Sequence, residues 1–212
     1  SGTAFFELIG WNSERVFETT SQARLLLNAA ESLLPKKWRT GLSPHAPHTV
    51  ASDLLRWAVT ESAKRDIPIA MHLAETKDEI RLLRSGSGPL RELMAGIGPY
   101  PFEEIREGNR PLDYLRVLSK ASKPLVIHGN YLNDKEIEFL GAERDNMSVV
   151  YCPRSHAHFG HDPYPLQQML DAGVRVAIGT DGRASVPNLN ICEELCFCAM
   201  QHPTVSKRLI LE

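Results

Sequence analysis

The chain has 212 residues, 42% of them hydrophobic, and a formal net charge of -2. That is enough for one sizeable core, read as a single domain over residues 1–212, and it argues against a disordered chain. The balanced charge excludes a strongly basic nucleic-acid or membrane-surface binder, and no apolar run reaches the roughly 18 residues needed to span a bilayer.

AFFELIG (4–10) reads as a short apolar strand close to residue 1, with no room before it for a partner strand. No signal-peptide pattern opens the chain, and the expected location is cytoplasmic. Ser13 offers an N-cap for a helix that runs to about residue 34, where Pro35 stops it. RTGLSPHAP (39–47) is the next strand and its exit, with Gly41, Ser43 and His45 on one face. A helix over about 52–64 follows. IPIAMHLAET (67–76) then reads as a buried strand, with Ile67, Ile69, Met71 and Leu73 on one face and Ala70 and His72 on the other. Bulky residues on one side, small ones and a terminal His on the other, suit a parallel barrel whose strand ends carry the chemistry.

Thr76 and Glu79 predict a capping box for the next helix. Residues 86–110 form a long segment with Gly and Pro around a short helix. It is read either as a lid or substrate wall, or as a solvated excursion. A helix over 112–119 leads into PLVIHGNYL (124–132), where Val126 and His128 point one way and Leu125 and Ile127 the other. Asn133 with Glu136 predicts a second capping box. MSVVYCPRS (147–155) is another strand, continued by a His-rich loop at 156–161, and a helix near 165–172 ends at Gly173. VRVAIGTDG (174–182) is the last strand, with Ala177, Gly179 and Asp181 sharing a face, before a helix over about 190–200. Cys152, Cys192, Cys196 and Cys198 read as reduced thiols of an intracellular protein. The last three are either buried core thiols or a zinc site, although their spacing matches no standard knuckle.

Six alternations of strand and helix define an α/β chain with parallel strands. His45, His72, His128 and Asp181 close four of these strands, and Glu75 stands beside His72. A barrel explains the pattern because its strand ends converge on one mouth. Imidazoles plus a carboxylate are what zinc or another borderline divalent ion takes.

SPHAPHT, HLAET, VIHGN and GTDG, in that order and at strand ends, resemble the amidohydrolase superfamily. Within it they are most similar to the metal-dependent aminohydrolase and chlorohydrolase branch, which includes adenosylhomocysteine, guanine and aminodeoxyfutalosine deaminases. The resemblance runs from about residue 40 to 185. It implies a partial (β/α)8 TIM barrel of about six βα units and one divalent metal ion, zinc first, with iron or manganese as alternatives. His72 and Asp181 match metal-binding residues, and Asp181 also matches the group that takes a proton from the attacking water. Glu75 matches the proton-shuttling Glu. His128 matches the His that holds the water or polarises the substrate, and His45 one that faces the substrate.

Three departures accompany the resemblance. The paired HxH ligands of the first barrel strand are absent, so about two strands are expected to be missing from this truncated domain. His48 stands where relatives carry an aromatic residue, read as an exposed loop His or else as a polar contact or spare ligand. Ser155-His156, with His158 and His161, replaces a Ser-Asn pair. His156 and Arg154 are candidate substrate contacts; Arg154 and Arg183 flank the expected mouth.

The implied reaction is hydrolytic deamination of a purine-like or related heterocycle. Hydrolytic dechlorination of a substituted ring, and a catalytically inactive fragment with a structural or binding role, stand as alternatives. The expected partners are a small-molecule substrate and, because the outer strands have open edges, a second copy or the missing part of the barrel.

Overall fold

In the computed structural model, which describes residues 1–97 and 109–211, six parallel strands form one sheet in their order along the chain. They are β1 (Gly2–Leu8), β2 (Trp38–Pro44), β3 (Ile69–Leu73), β4 (Pro124–His128), β5 (Ser148–Tyr151) and β6 (Val176–Ile178). Parallel neighbours need a crossover rather than a hairpin. The first two crossovers are α1 (Ser13–Leu33) and α2 (Ser52–Arg65). The third contains α3 (Lys77–Ser85), α4 (Pro89–Ile97) and α5 (Pro111–Leu118), and the fourth α6 (Asp134–Ala142). The fifth carries α7 (Pro153–His158) and α8 (Leu166–Asp171), while α9 (Ile191–Gln201) and α10 (Lys207–Leu211) follow β6. Unbroken sequential strand order with intervening helices is the arrangement of consecutive units of a (β/α)8 barrel. The chain is a partial barrel, and among the described residues β1 and β6 each have a strand neighbour on one side only.

Local chemistry sets the boundaries. The N-cap of α1 is Asn12 rather than Ser13, and its side chain accepts from Arg15 N at 2.9 Å. Asn133 and Glu136 form the expected capping box. Gly173, at φ 77, follows the C-cap of α8 in the left-handed conformation that glycine tolerates. The strand expected over 147–155 ends at Tyr151, because Pro153 opens α7. His156 and His158 therefore lie on a helix rather than in a loop. Part of the expected excursion at 86–110 is α4; residues 98–108 lie outside the described residues.

The core lies between sheet and helices. α2 buries Leu54, Leu55, Ala58 and Val59 against Ile69, Met71 and Leu73 of β3, and each such Leu contributes roughly 1.5–3 kcal/mol. A Cβ on Gly179 would lie 2.7 Å from Val150, so only glycine lets the end of β6 approach β5 this closely. A cavity of about 1030 Å³ opens at the amino ends of the strands, lined by Phe5, Trp38, Pro68 and Pro124 among others. None of the candidate site residues lines it.

Pairing along β4 corrects the simple alternation. Met71 lies beside Val126, His72 beside Ile127, and Leu73 beside His128. Cross-strand neighbours share a face, so alternation alone would send His128 to the helix side with Val126 and Met71. His128 instead has φ 70, and its ring stacks on that of His72 with centroids 5.4 Å apart.

Candidate active site

The carboxyl ends of the strands hold the site. His72 is the fourth residue of β3, and its backbone N–H and ring Nδ1 both lie 2.9 Å from the His45 carbonyl oxygen. A carbonyl only accepts, so Nδ1 carries the proton and the Nε2 lone pair is left for a metal. The His45 ring lies 5.1 Å from that of His72 and shares a 2.7 Å hydrogen bond with Thr49 Oγ1. Burial, then the neighbouring His72, lowers the His45 pKa. His48 is half-buried rather than exposed, its ring 6.0 Å from that of His45, and burial holds its pKa down to about 4.

Three non-glycine residues with left-handed backbone mark the strand exits: Ala74 (φ 54), His128 (φ 70) and Asp181 (φ 58). Such residues persist only where their surroundings fix them, and they cluster at functional sites. The His128 carbonyl accepts from the buried hydroxyl of Tyr164 at 2.9 Å. Its Nε2 lies 3.7 Å from Glu75 Oε1. Burial, then His72, lowers the His128 pKa to about 4, with Asp181 opposing.

Burial raises the Glu75 pKa against the pull of His72, and Asp181 adds to the rise. Burial would also raise Asp181, but hydrogen bonds from Ser155, Gly182 and Ser185, with His128, outweigh it and hold its pKa below the usual carboxylate value. Ser155 and Ser185 both direct their hydroxyls at Asp181 Oδ2, and their own oxygens lie 2.9 Å apart. Two carboxylates in one mouth are thus biased oppositely, one toward holding a proton and one toward giving it up.

The structure brings His45, His72, Glu75, His128 and Asp181 together. His156 lies beside this group, 9% exposed, packed against Tyr151, His161 and Tyr164. Its Nε2 has no hydrogen-bond partner among the described residues. Arg154 is a correction. Its Nε donates to Glu194 at 2.7 Å, Nη1 to Glu193 at 2.7 Å and Asn188 at 3.2 Å, and Nη2 twice to Asn188. All five guanidinium N–H groups are occupied, so Arg154 braces the start of α9 and has none left for a substrate. Arg183 is exposed. Cys192 and Cys196 are exposed while Cys198 is buried, so the three are not a set of core thiols.

Sequence reasoning missed Ser185, Tyr164, Asn130 and the true reach of Glu79. Glu79 does donate its backbone N–H to the Thr76 side-chain oxygen at 3.1 Å, as a cap requires. Its carboxyl, however, passes Thr76 and takes the N–H groups of Ala74 (2.7 Å) and Glu75 (3.1 Å). The signal available was an acid at the third helical position that the core buries.

Donor chemistry at His72 fits a metal ion. Among the described residues, however, no group of three or more His, Cys, Asp or Glu is arranged to hold one.

The chain belongs to the Amidohydrolase family, whose profile matches residues 22–208. It is 32% identical to the aminodeoxyfutalosine deaminase of Deinococcus radiodurans over 218 aligned positions, covering 100% of this chain and 52% of the relative. It is also 32% identical to the 5-methylthioadenosine/S-adenosylhomocysteine deaminase of Pyrococcus horikoshii over 159 positions, covering 75% of this chain and 33% of the relative. The fold superposes on Helicobacter pylori aminofutalosine deaminase in complex with methylthio-coformycin with a TM-score of 0.84 at 19% identity, covering 98% of this chain and 50% of that one. For a Xanthomonas campestris adenosine deaminase with bound zinc, the TM-score is 0.71 at 25% identity, covering 94% and 41%. The chain spans about half the length of the first of these curated relatives.

Proposed function

We propose that this chain supplies the acid–base half of the active site of a metal-dependent deaminase acting on a 6-aminopurine nucleoside. The observation that carries the reading is the cluster at the strand exits: His72 with Nδ1 on the His45 carbonyl and its Nε2 lone pair available, His128 stacked on it with Nε2 3.7 Å from Glu75 Oε1, and Asp181 held by the Ser155 and Ser185 hydroxyls. Burial and neighbours bias Glu75 upward and Asp181 downward. The family and the names of the deaminase relatives support it.

His72 and Asp181 would hold one divalent ion, zinc first, with iron or manganese as alternatives. When bound, the ion supplies Lewis-acid activation of water at neutral pH. The remaining steps belong to this chain. Asp181, with Oδ2 anchored by two hydroxyls, takes a proton from the attacking water. Glu75, whose burial favours the protonated form, delivers its own proton to the ring nitrogen beside the reacting carbon as the C–O bond forms. The resulting carboxylate takes the remaining proton of the new C–OH and passes it to the amine, the C–N bond breaks and ammonia leaves, and the proton held by Asp181 restores the Glu75 carboxyl. His128 is neutral near pH 7 and polarises the substrate or holds the water. His45 and His156 line the substrate side of the mouth.

The open edges at β1 and β6 support association with another part of the barrel or with a second copy. The expected setting is the cytoplasm, supported by four free thiols; no described helix is long and apolar enough to cross a membrane. The test is ammonia release by the complete, zinc-loaded protein from 5′-methylthioadenosine, S-adenosylhomocysteine and aminodeoxyfutalosine. Turnover of one or more supports the reading. No turnover of any, with chloride release from a chlorinated ring instead, would assign dechlorination.

A further inference from the structure

Glu75 can work as a proton carrier only if its carboxyl meets His128 and the substrate at a fixed angle, and its backbone lies in a turn that an ordinary chain avoids. Ala74, fully buried, holds φ 54 immediately before it. Nothing in an alanine favours that conformation, so the neighbours must impose it.

On the carbonyl side, the exit of β4 does so. Tyr131 N donates to the Ala74 carbonyl at 3.0 Å, and the buried Asn130 side chain donates to the Glu75 carbonyl at 3.0 Å. On the amide side the hold is one residue, Glu79. It is 1% exposed, and its two oxygens accept separately: Oε1 from Ala74 N at 2.7 Å and Oε2 from Glu75 N at 3.1 Å. Two successive N–H groups of a left-handed turn form a small concavity that suits an acidic oxygen pair. The N-cap of α3 is already satisfied by the Thr76 side chain. Glu79 is therefore not needed for the cap, and it passes over the Thr76 N–H that a capping-box acid would take.

We propose that Glu79 is a positioning residue for proton transfer: by clamping the Ala74 and Glu75 amides from the α3 side, it aims the Glu75 carboxyl into the mouth. This rests on the reading of Glu75 as the proton carrier. Burial supports the geometry by raising the Glu79 pKa to about 8, so this acid is tuned by the interior and not by solvent. Whether protonated or not, the residue needs two acceptor oxygens toward two N–H groups. Gln offers one oxygen and turns an NH₂ toward the other N–H.

The test is a double-variant cycle, Glu79→Gln and Glu75→Gln, in the complete zinc-loaded protein on the 6-aminopurine nucleoside that it turns over. The expected result is that E79Q lowers kcat about 10–100-fold, as small misplacements of a reacting group do, with KM within about twofold and a cooperative melt. In the E75Q background the same change should have almost no further effect on kcat. E79Q with wild-type kcat, while E75Q is impaired, overturns the positioning role and leaves the proton carrier standing. Equal loss from E79Q in both backgrounds also overturns it. Wild-type turnover by E75Q overturns the proton-carrier reading and this inference with it. If E79Q does not fold, A74G/E79Q replaces it, because glycine adopts φ 54 without strain. Depressed kcat in that folded variant upholds the role, whereas wild-type kcat, or a second failure to fold, overturns it.

Discussion

The ring Nδ1 of His72 and the backbone carbonyl of His45 are 2.9 Å apart, and this bond fixes which imidazole nitrogen of His72 can meet a metal. The acceptor is main chain, so it survives any change of the His45 side chain. His45→Ala is expected to leave zinc affinity within about twofold while raising KM about tenfold, or roughly 1.4 kcal/mol of lost substrate binding. His72→Ala is expected to lower zinc affinity by more than the 10–100-fold typical of a lost supporting bond. Chelator competition and steady-state kinetics on the complete protein check both.

Ser155 is 1% exposed and directs its hydroxyl at Asp181. Ser155→Ala removes a hydrogen bond to a charged group and is expected to destabilise the fold by about 1.5–3 kcal/mol. It should also shift the acid limb. The folded pKa of Asp181 lies below its usual 3.8, so its contribution to stability is present above that value and lost as pH falls through the folded pKa. Without Ser155 the folded pKa rises, and the loss begins at higher pH. Acid-unfolding curves of wild type and S155A check the direction.

Arg154 occupies its five N–H groups on Glu194, Glu193 and Asn188, and Glu194 is fully buried. Arg154→Ala strands that charge and is expected to cost about 3–5 kcal/mol. Lys supplies a point charge rather than a fork, so R154K should recover only part of it. A raised KM with an unchanged melting temperature in R154A would return Arg154 to the substrate.

Burial holds His156 at about 4 against an ordinary 6.5. Between those values the unfolded chain binds more protons than the folded one, so stability falls as pH drops from 6.5 to 4. Its slope reaches about 1.4 kcal/mol per pH unit. His48 acts in the same direction. Melting temperatures should fall as pH drops across that range, most steeply midway, and His156→Phe should flatten the dependence.

Much of this site was legible because barrel chemistry sits at strand ends, and period-two patterning finds strand ends. His45, His72 and Asp181 follow from that rule. His128 follows only in part: its position was legible, but its direction depends on φ 70, which a histidine in a strand pattern does not announce. The Arg154 ion pairs are not legible, because a cation near a mouth looks the same in sequence whether it faces substrate or Glu194. Spacing along a helix reveals that Glu79 can reach back, but not how far it does. The seryl hydroxyls on Asp181 join α7 to the loop after β6, a tertiary contact that no local pattern encodes.

Ammonia release from a 6-aminopurine nucleoside by the complete zinc-loaded protein, wild type against Glu75→Gln, tests the acid–base role of Glu75 most directly. One ammonia per oxo product is expected from wild type, and a kcat about 10²–10⁴-fold lower in E75Q, the range for loss of a positioned acid–base group. Wild-type turnover by E75Q would contradict it.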